Sequence, residues 1–321
     1  MKANLTKVLF LGSNWEAVES LKTLHAAEGF DVVGVITKED KPVGRKKEIT
    51  PNIVKVEAQK LEIPVYHTLN QAARYDEAIS KFQPDLVVVK SYGEIIPEAF
   101  LNTPKYGAIN IHFSLLPKYR GAVPIQKAIL NGDSKTGVTF VKMVKELDAG
   151  PILETYEEEI LPTDTNQSLR ERLVKRSSRL LPDVLRRWVA GEIKPTNQDD
   201  SQATYCWQKD IAKDNAQIDW TQHGALSIDR MVRAFIPWPV AWFLLPDGKR
   251  MKVFKAKVVE INENFLTDES FEQLYQSCSV GDLFKFQKRL FAKTLDNDKL
   301  IELLEVQKEG KTRVSGFMYM T

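Results

Sequence analysis

Gly107-Ala-Ile-Asn-Ile-His-Phe-Ser-Leu-Leu-Pro-Lys-Tyr-Arg-Gly121, followed by Gly132-Asp-Ser-Lys-Thr-Gly137 and Leu147-Asp-Ala-Gly150, is the stretch from which the fold of this chain is read. It opens as a short apolar strand. Asn110 and His112 are two residues apart, and a strand turns such a pair to the same face. The segment that follows, with Pro117, Gly121 and Pro124, is a loop. A polar pair at the end of a buried strand, just ahead of a loop, is where open α/β sheets place their chemistry. Asp148 falls about one strand and one turn further along, so an amide, an imidazole and a carboxylate are expected to converge.

The residues before this stretch read as its supporting sheet. Residues 7–12 form an apolar strand ending at Gly12-Ser13-Asn14, residues 15–27 carry helical periodicity through Trp15, Val18, Leu21 and Leu24, and residues 31–37 form the next strand. This is a βαβ opening with a right-handed crossover. Gly12 stands alone, without the three-glycine fingerprint, which disfavours a nicotinamide cofactor. Residues 38–50 are polar, with Pro42 and Gly44, and read as a long loop, either a solvated one or a phosphate-contacting arm. A helix is expected over residues 51–61 with Pro51 in its first turn, a strand over 64–66, and a helix over 70–82 capped by Asn70. Residues 85–90 contain Leu-Val-Val-Val, the kind of run a parallel sheet buries on both faces. Ser91-Tyr-Gly93 turns away, and residues 97–101 make a short helix.

Beyond the stretch, residues 152–160 read as an acidic edge strand, and Thr163 or Asp164 as the cap of a long helix to residue 190. Leu169, Leu173, Leu180, Val184 and Trp188 mark its buried stripe, and its other faces are rich in arginine and lysine. Residues 191–218 lose periodicity and read as a linker along the surface, anchored by Tyr205 and Trp207. A helix follows over 227–234. Strand-like pieces at 241–245, 250–261, 281–291 and 300–306, with a polar, partly helical segment at 262–277, suggest a small β-barrel. The expected fold class is therefore α/β: a Rossmann-like open, mostly parallel sheet with helices on both faces, then a small C-terminal β-barrel. The expected domains are 1–190 (catalytic), 191–208 (linker) and 209–321 (barrel).

Composition narrows the function classes. A chain of 321 residues favours two domains, and an apolar content of 43% is ample for their cores. The net charge of +2 excludes a polybasic protein as a whole, leaving only local basic patches. Cys206 and Cys278 make no disulfide framework, and the four scattered histidines make no metal cluster, so no metal is expected. No apolar run approaches the ~20 residues of a membrane span, and the first residues make too short an apolar run for a signal peptide, so a cytoplasmic protein is expected.

Asn110 offers an amide donor that cannot titrate, His112 a donor or base near neutral pH, and Asp148 a carboxylate able to orient the imidazole or accept a proton through water. No Ser or Cys stands in a nucleophile motif, so direct attack by an external nucleophile is preferred over a covalent enzyme intermediate. In that reading Asn110 and His112 stabilise the oxygen of a tetrahedral intermediate, and Asp148 relays the proton. On residue types and spacing alone a purely structural role for all three is equally open.

Asn110-Ile-His-Phe-Ser-Leu-Leu-Pro-Lys-Tyr-Arg-Gly121, with Gly132-Asp133, Thr136-Gly137 and Leu147-Asp-Ala-Gly150, resembles the signature of the formyltransferases that use 10-formyltetrahydrofolate. The likeness spans nearly the whole chain and is greatest to the branch whose acceptor is methionyl initiator tRNA. Ala122-Val-Pro-Ile-Gln-Lys-Ala-Ile129, Ile218-Asp-Trp220, Arg233-Ala-Phe-Ile-Pro-Trp-Pro-Val-Ala-Trp242 and Leu303-Leu-Glu-Val-Gln-Lys-Glu-Gly-Lys311 carry it. The resemblance implies that Asn110, His112 and Asp148 are the catalytic trio. It implies a folate pocket walled by Val88, Val89, Lys90, Ser91 and Tyr92 and by Ser114, Leu115, Leu116 and Pro117. It also implies an arm with Lys41, Arg45, Lys46 and Lys47 that reaches the tRNA acceptor stem, and a C-terminal barrel resembling an OB fold that holds the tRNA backbone. Formyl would pass from 10-formyltetrahydrofolate to the free α-amino group of methionine on initiator tRNA, with no metal and with the enzyme a monomer. Lys46 stands where the family usually has the second glycine of Gly-Arg-Gly, Gly12-Ser-Asn14 where it has Gly-Thr-Pro, and Phe113 where it has a small residue. Residues 262–279 lack its glycine-rich hairpin.

Other readings make distinct demands. A sugar-nucleotide N-formyltransferase would share the chain through Gly150 but not the basic arm, Pro237-Trp-Pro239 or the barrel. A purine-pathway formyltransferase leaves the last ~110 residues without a role under the usual domain sizes. Hydrolysis of the formyl-folate has no dedicated module here, and a catalytically inactive tRNA-binding protein would not need the trio.

Overall fold

The computed structural model describes residues 5–43, 48–262, 265 and 268–319. The chain divides into two compact units: residues 1–121, 135–159 and 170–205 form one, and residues 122–134, 160–169 and 206–321 the other.

The first unit is built on a seven-stranded sheet. Its opening is β1 (Thr6–Gly12), α1 (Trp15–His25) and β2 (Phe30–Ile36), the expected βαβ, with Asn14 capping α1 through its side chain. Residues expected as a loop instead start and end a short hairpin, β3 (Lys41–Val43) with β4 (Glu48–Thr50). Its root is held by Asp40, whose carboxylate accepts from Asn52 N and Lys55 Nζ at 3.0 and 2.7 Å. α2 (Ile53–Lys60) is capped by Asn52, so Pro51 lies outside its first turn. β5 (Val65–Tyr66) leads to α3 (Ala72–Phe82). Asn70 does not cap α3: it takes a left-handed φ of 55°, and the cap position falls on Gln71. An amide side chain tolerates that backbone region, which is why a turn residue resembled a cap in sequence. β6 (Leu86–Lys90), α4 (Glu98–Asn102) and β7 (Ala108–His112) complete the parallel part.

After β8 (Arg120–Gly121) and α5 (Pro124–Asn131), β9 (Lys135–Lys142) pairs antiparallel with β7, and β10 (Ile152–Glu159) pairs antiparallel with β9 at the edge. The sheet order is β10-β9-β7-β6-β1-β2-β5. α6 (Asn166–Val189) buries Leu169, Leu173, Val174, Leu181, Val184 and Leu185, a stripe at the 3.6 period. Leu180, expected in the stripe, is only half-buried, and its neighbour Leu181 takes the inward position. At the N-terminus of α6, Thr165 and Ser168 form a reciprocal pair, and Asp164 Oδ1 accepts from Ser168 Oγ at 2.9 Å. The basic side of α6 meets the acidic edge strand. Glu158 takes Arg172 at 2.8 Å and also Arg176, while Glu154 takes Arg187. β10 alternates, so Glu154 and Glu158 share one face, two residues to either side of Tyr156.

In the second unit α7 (Ala225–Ala234) precedes β12 (Ala241–Leu244), β13 (Arg250–Glu260), α8 (Glu269–Ser277), β14 (Leu283–Phe286), β15 (Arg289–Lys293), β16 (Lys299–Lys308), β17 (Val314–Ser315) and α9 (Gly316–Tyr319). The small barrel is thus an antiparallel set of six strands, ordered β12-β13-β16-β15-β14 with β17 beside β16. One expected strand over 281–291 is two, folded at Gln287-Lys288, whose φ of 47° and 61° give the primed turn that hairpins favour. Neither residue is glycine or asparagine, so no turn signal announced it. In the residues expected as a linker, β11 (Tyr205–Cys206) pairs with β8. Tyr205 and Trp207 are exposed, with the Tyr205 hydroxyl at 3.5 Å from Arg120 Nη1, while Cys206, Ile211, Ala216 and Ile218 are buried. Alternation along an extended segment puts Cys206 inward and its aromatic neighbours outward. No described helix is long and apolar enough to cross a membrane.

The core under the barrel sheet is aromatic. Phe271 on α8 is almost wholly buried, with ring centroids of Phe265, Phe286 and Tyr275 at 4.8, 5.1 and 5.7 Å. Phe271→Ala is expected to cost about 3–5 kcal/mol, as for other buried aromatic truncations, read as an earlier urea transition.

Candidate active site

β7 lies inside the sheet, with β6 parallel on one side and β9 antiparallel on the other. Strand order reverses across β1 and β6, and the carboxyl ends of such strands form the crevice of an open α/β sheet. Asn110 is half-buried two residues before the end of β7, and His112 is buried at the end itself.

Asp148 reaches them from the turn after β9. It has a left-handed φ of 49°, which a short polar side chain tolerates. Its Oδ1 accepts from Asn110 Nδ2 at 3.2 Å, and its Oδ2 accepts from Gly121 N at 2.9 Å. The same Oδ2 lies 3.6 Å from His112 Nδ1. The three groups expected to converge are therefore brought together.

The imidazole is oriented from its other side. His112 Nε2 is 2.9 Å from Tyr119 O, and a carbonyl only accepts, so Nε2 carries the hydrogen. In the neutral ring Nδ1 then presents its lone pair beside Asp148. In the protonated ring it presents an N–H to the carboxylate.

The turn that carries Asp148 depends on close packing. A Cβ on Gly150 would sit 1.8 Å from Lys142 O, so only glycine passes there. Gln198 Nε2 donates to both Asp148 O and Gly150 O at 2.7 Å. Gln198 Oε1 accepts from buried Arg120, whose guanidinium also meets Asp200 at 2.6 Å. Arg120 stands within the motif read from sequence, but Gln198 lies in the unpatterned segment, and its residue type alone carries no signal of this role.

Residues 114–117 form a tight turn beside His112. Ser114 is fully buried and donates from Oγ to Lys118 O at 2.5 Å. Leu115 and Pro117 are half-buried, and Leu116 is buried. Thr139 on β9 holds this turn: its hydroxyl donates to Ser114 O at 2.6 Å and accepts from Leu116 N at 3.3 Å. Thr139 pairs with His112 in register, a placement only the β7–β9 pairing reveals.

The other expected pocket wall, 88–92, offers little side chain to solvent. Val88, Val89, Lys90 and Tyr92 are buried, and Ser91 is half-buried with a left-handed φ of 47°. Val89 pairs with Asn110, so Lys90, the next residue, projects to the opposite face of the sheet. Tyr92 Oη bonds Thr68 Oγ1 and Glu94 at 2.7 and 2.9 Å, and burial raises its phenol further above the usual range. Of the expected arm residues, Lys41 is exposed on β3, and Arg45, Lys46 and Lys47 lie outside the described residues. Among the described residues no group of three or more His, Cys, Asp or Glu side chains is arranged to hold a metal ion.

Thr139→Val keeps the shape of the side chain and leaves Ser114 O and Leu116 N without their partner. A loss of about 1–3 kcal/mol in thermal or urea unfolding is expected, the usual cost of a buried unmatched polar group.

Comparison with known proteins comes down on one family. The formyl transferase family model matches residues 6–185, and the model for the formyl transferase C-terminal domain matches residues 210–321. The methionyl-tRNA formyltransferase of Geobacillus sp. (strain WCH70) is 36% identical over 318 residues, covering 98% of this chain and 94% of that protein. The methionyl-tRNA formyltransferase of Bacillus thuringiensis subsp. konkukian is 36% identical over 312 residues, covering 97% and 94%. Among solved structures, the sugar 3N-formyl transferase WlaRD, in the presence of dTDP and 5-N-formyl-THF, matches with a TM-score of 0.67 at 20% identity, over 96% of this chain and all of that one. HypX from Aquifex aeolicus in complex with tetrahydrofolic acid matches with a TM-score of 0.60 at 16% identity, over 96% of this chain and 46% of that one. At these identities the two structures speak for the fold.

Proposed function

The chain belongs to the formyl transferase family, and from that premise we propose that it moves a formyl group from 10-formyltetrahydrofolate to the α-amino group of methionyl initiator tRNA. The observation that carries the reading is the Asp148 carboxylate, bonded to the Asn110 amide and facing His112 Nδ1 at the carboxyl end of β7. The relatives at 36% identity over almost the whole chain favour methionyl-tRNA as acceptor.

The residues present fit a folate formyl donor. One amide hydrogen of Asn110 goes to Asp148, and among the described residues the second meets no acceptor. In the turn after β7, the half-buried Leu115 and Pro117 give an apolar flank suited to a flat heterocycle. The donor supplies the carbonyl carbon that the amine attacks.

The second Asn110 N–H is placed to bond the formyl oxygen as it gains charge. Such a donor contributes about 3 kcal/mol in comparable sites, a hundredfold or more in rate. His112, with Nε2 committed to Tyr119, acts through Nδ1. Protonated there, it stabilises the same oxygen and is itself balanced by Asp148. The attacking amine sheds one proton and the departing nitrogen takes one back, so the protein needs only to hold a proton in transit. Asp148 and His112 Nδ1 are the groups placed to hold it. The basic arm with Lys41, Arg45, Lys46 and Lys47 would contact tRNA phosphates, giving salt-dependent affinity without sequence readout.

The test is formyl transfer by purified protein to methionyl initiator tRNA, with a dTDP-linked amino sugar and water as competing acceptors. N-formyl-methionyl-tRNA as the main product supports the reading. A formylated sugar or free formate overturns the acceptor. Asn110→Ala is expected to lower kcat by about a hundredfold or more while tRNA binding stays within a few-fold. Arg45→Ala is expected to raise KM for tRNA, to flatten the salt dependence of tRNA binding, and to leave folate binding unchanged.

A further inference from the structure

Lys90 is a fully buried lysine at the end of β6, with no role in the chemistry above. It lies on the back of the sheet, on the face opposite Asn110 and His112. Its Nζ donates to Ser177 Oγ on α6 at 3.0 Å and sits 3.8 Å from the centre of the Phe113 ring. Phe113 is the residue between His112 and Ser114. The ring and the ammonium thus touch directly behind the catalytic strand end.

We propose that Lys90 is a positioning residue for formyl transfer: its ammonium, held by Ser177 and capped by the Phe113 ring, fixes the end of β7 and so the placement of His112 and the Ser114 turn. Phe113 and His112 are consecutive and project to opposite faces. A ring drawn down on one face therefore sets the backbone from which the imidazole rises on the other. Cation–π contacts strengthen when desolvated, and this one is wholly shielded from water. Ser177 in turn donates to Val174 O, so the acceptor of the Lys90 bond is itself oriented by α6.

Burial pulls the Lys90 ammonium down to about 7, with Glu16 opposing and Arg170 adding to the shift. Those two face it from α1 and α6 and are joined in their own ion pair, with Ser91 Oγ on the same carboxylate. The flanking strands bring no titratable side chain to this face: Gly12 pairs with Lys90 on β1, and Ile109 and Ile111 precede Phe113 on β7. The grip is therefore present when Lys90 is charged and fades as pH rises through about 7.

The experiment compares wild type with Lys90→Met, which keeps the length of the side chain and removes cation and donor. At pH 6 kcat of the variant is expected to be about five- to tenfold lower, within the range of one desolvated cation–π contact. KM for folate and for tRNA should stay within about twofold, and the melting temperature should not fall. The wild-type to variant kcat ratio should shrink toward one by pH 8.5, and because it is a ratio the titration of the acceptor amine cancels. A constant ratio, or none different from one at any pH, overturns the proposal, as does a loss confined to KM. The kcat arm rests on the formyl-transfer reading. A second arm does not: the ring resonances of Phe113, assigned by their loss in Phe113→Leu, should titrate near pH 7 in wild type and not in Lys90→Met. Identical ring titrations in the two proteins overturn the proposal even where no acceptor has been formylated.

Discussion

One carboxylate orders the front of the sheet. Asp148 takes the Asn110 amide on one oxygen and the Gly121 N–H on the other, and the second oxygen also faces His112. A carboxylate in that position must be delivered by a turn that doubles back against β9. The turn exists because Gly150 lets the chain pass within van der Waals distance of Lys142 O, and because Gln198 binds the carbonyls of both Asp148 and Gly150. Arg120 then fixes Gln198. The apparent linker therefore helps frame the candidate site: through one glutamine it holds the backbone from which the Asp148 carboxylate projects.

Charge is managed differently on the two faces of the sheet. At the edge, β10 carries glutamates on both sides, and an edge strand so charged does not invite pairing with another chain. Its inward glutamates are met by arginines of α6, so the long basic helix is in part a counter-charge to its own sheet. Most of these pairs are partly exposed, and each contributes little alone. Their value is geometric, because they set the helix against the strand and carry Ser177 and Ser178 to buried positions. Ser178 meets Ser20 of α1, and Ser177 meets Lys90.

The parts of this structure legible in sequence are those set by short-range pattern. The βαβ opening, the buried Leu-Val-Val-Val strand and the convergence of Asn110, His112 and Asp148 follow from periodicity 2, periodicity 3.6 and glycine placement. What pattern missed was decided by pairing at a distance. The β3–β4 hairpin is a polar segment whose strands form only against each other, around an Asp40 anchor. The Gln287-Lys288 turn has no glycine to announce it. Thr139 and Gln198 are ordinary residues until the register of β9 and the path of residues 196–206 bring them to the site. Strand alternation gave the inward position to Cys206, between the larger but more exposed Tyr205 and Trp207.

The same geometry bears on which kind of transfer the site can perform. A covalent route needs a hydroxyl or thiol with a base beside it. Ser114 is the hydroxyl next in sequence to the trio, but it is buried and donates to Lys118 O. The Thr139 hydroxyl is likewise consumed in holding the turn. Cys206 is buried, and burial pushes the Cys278 thiol up, away from the thiolate that would attack. His112 has its Nε2 tied to a carbonyl, so no side-chain nucleophile among these can use it as a base through that atom. What remains is a half-buried amide, one open imidazole nitrogen and a carboxylate, all acting on a group brought from outside. That inventory suits the proposed direct transfer, with no hydroxyl or thiol among these residues left free to take the formyl group.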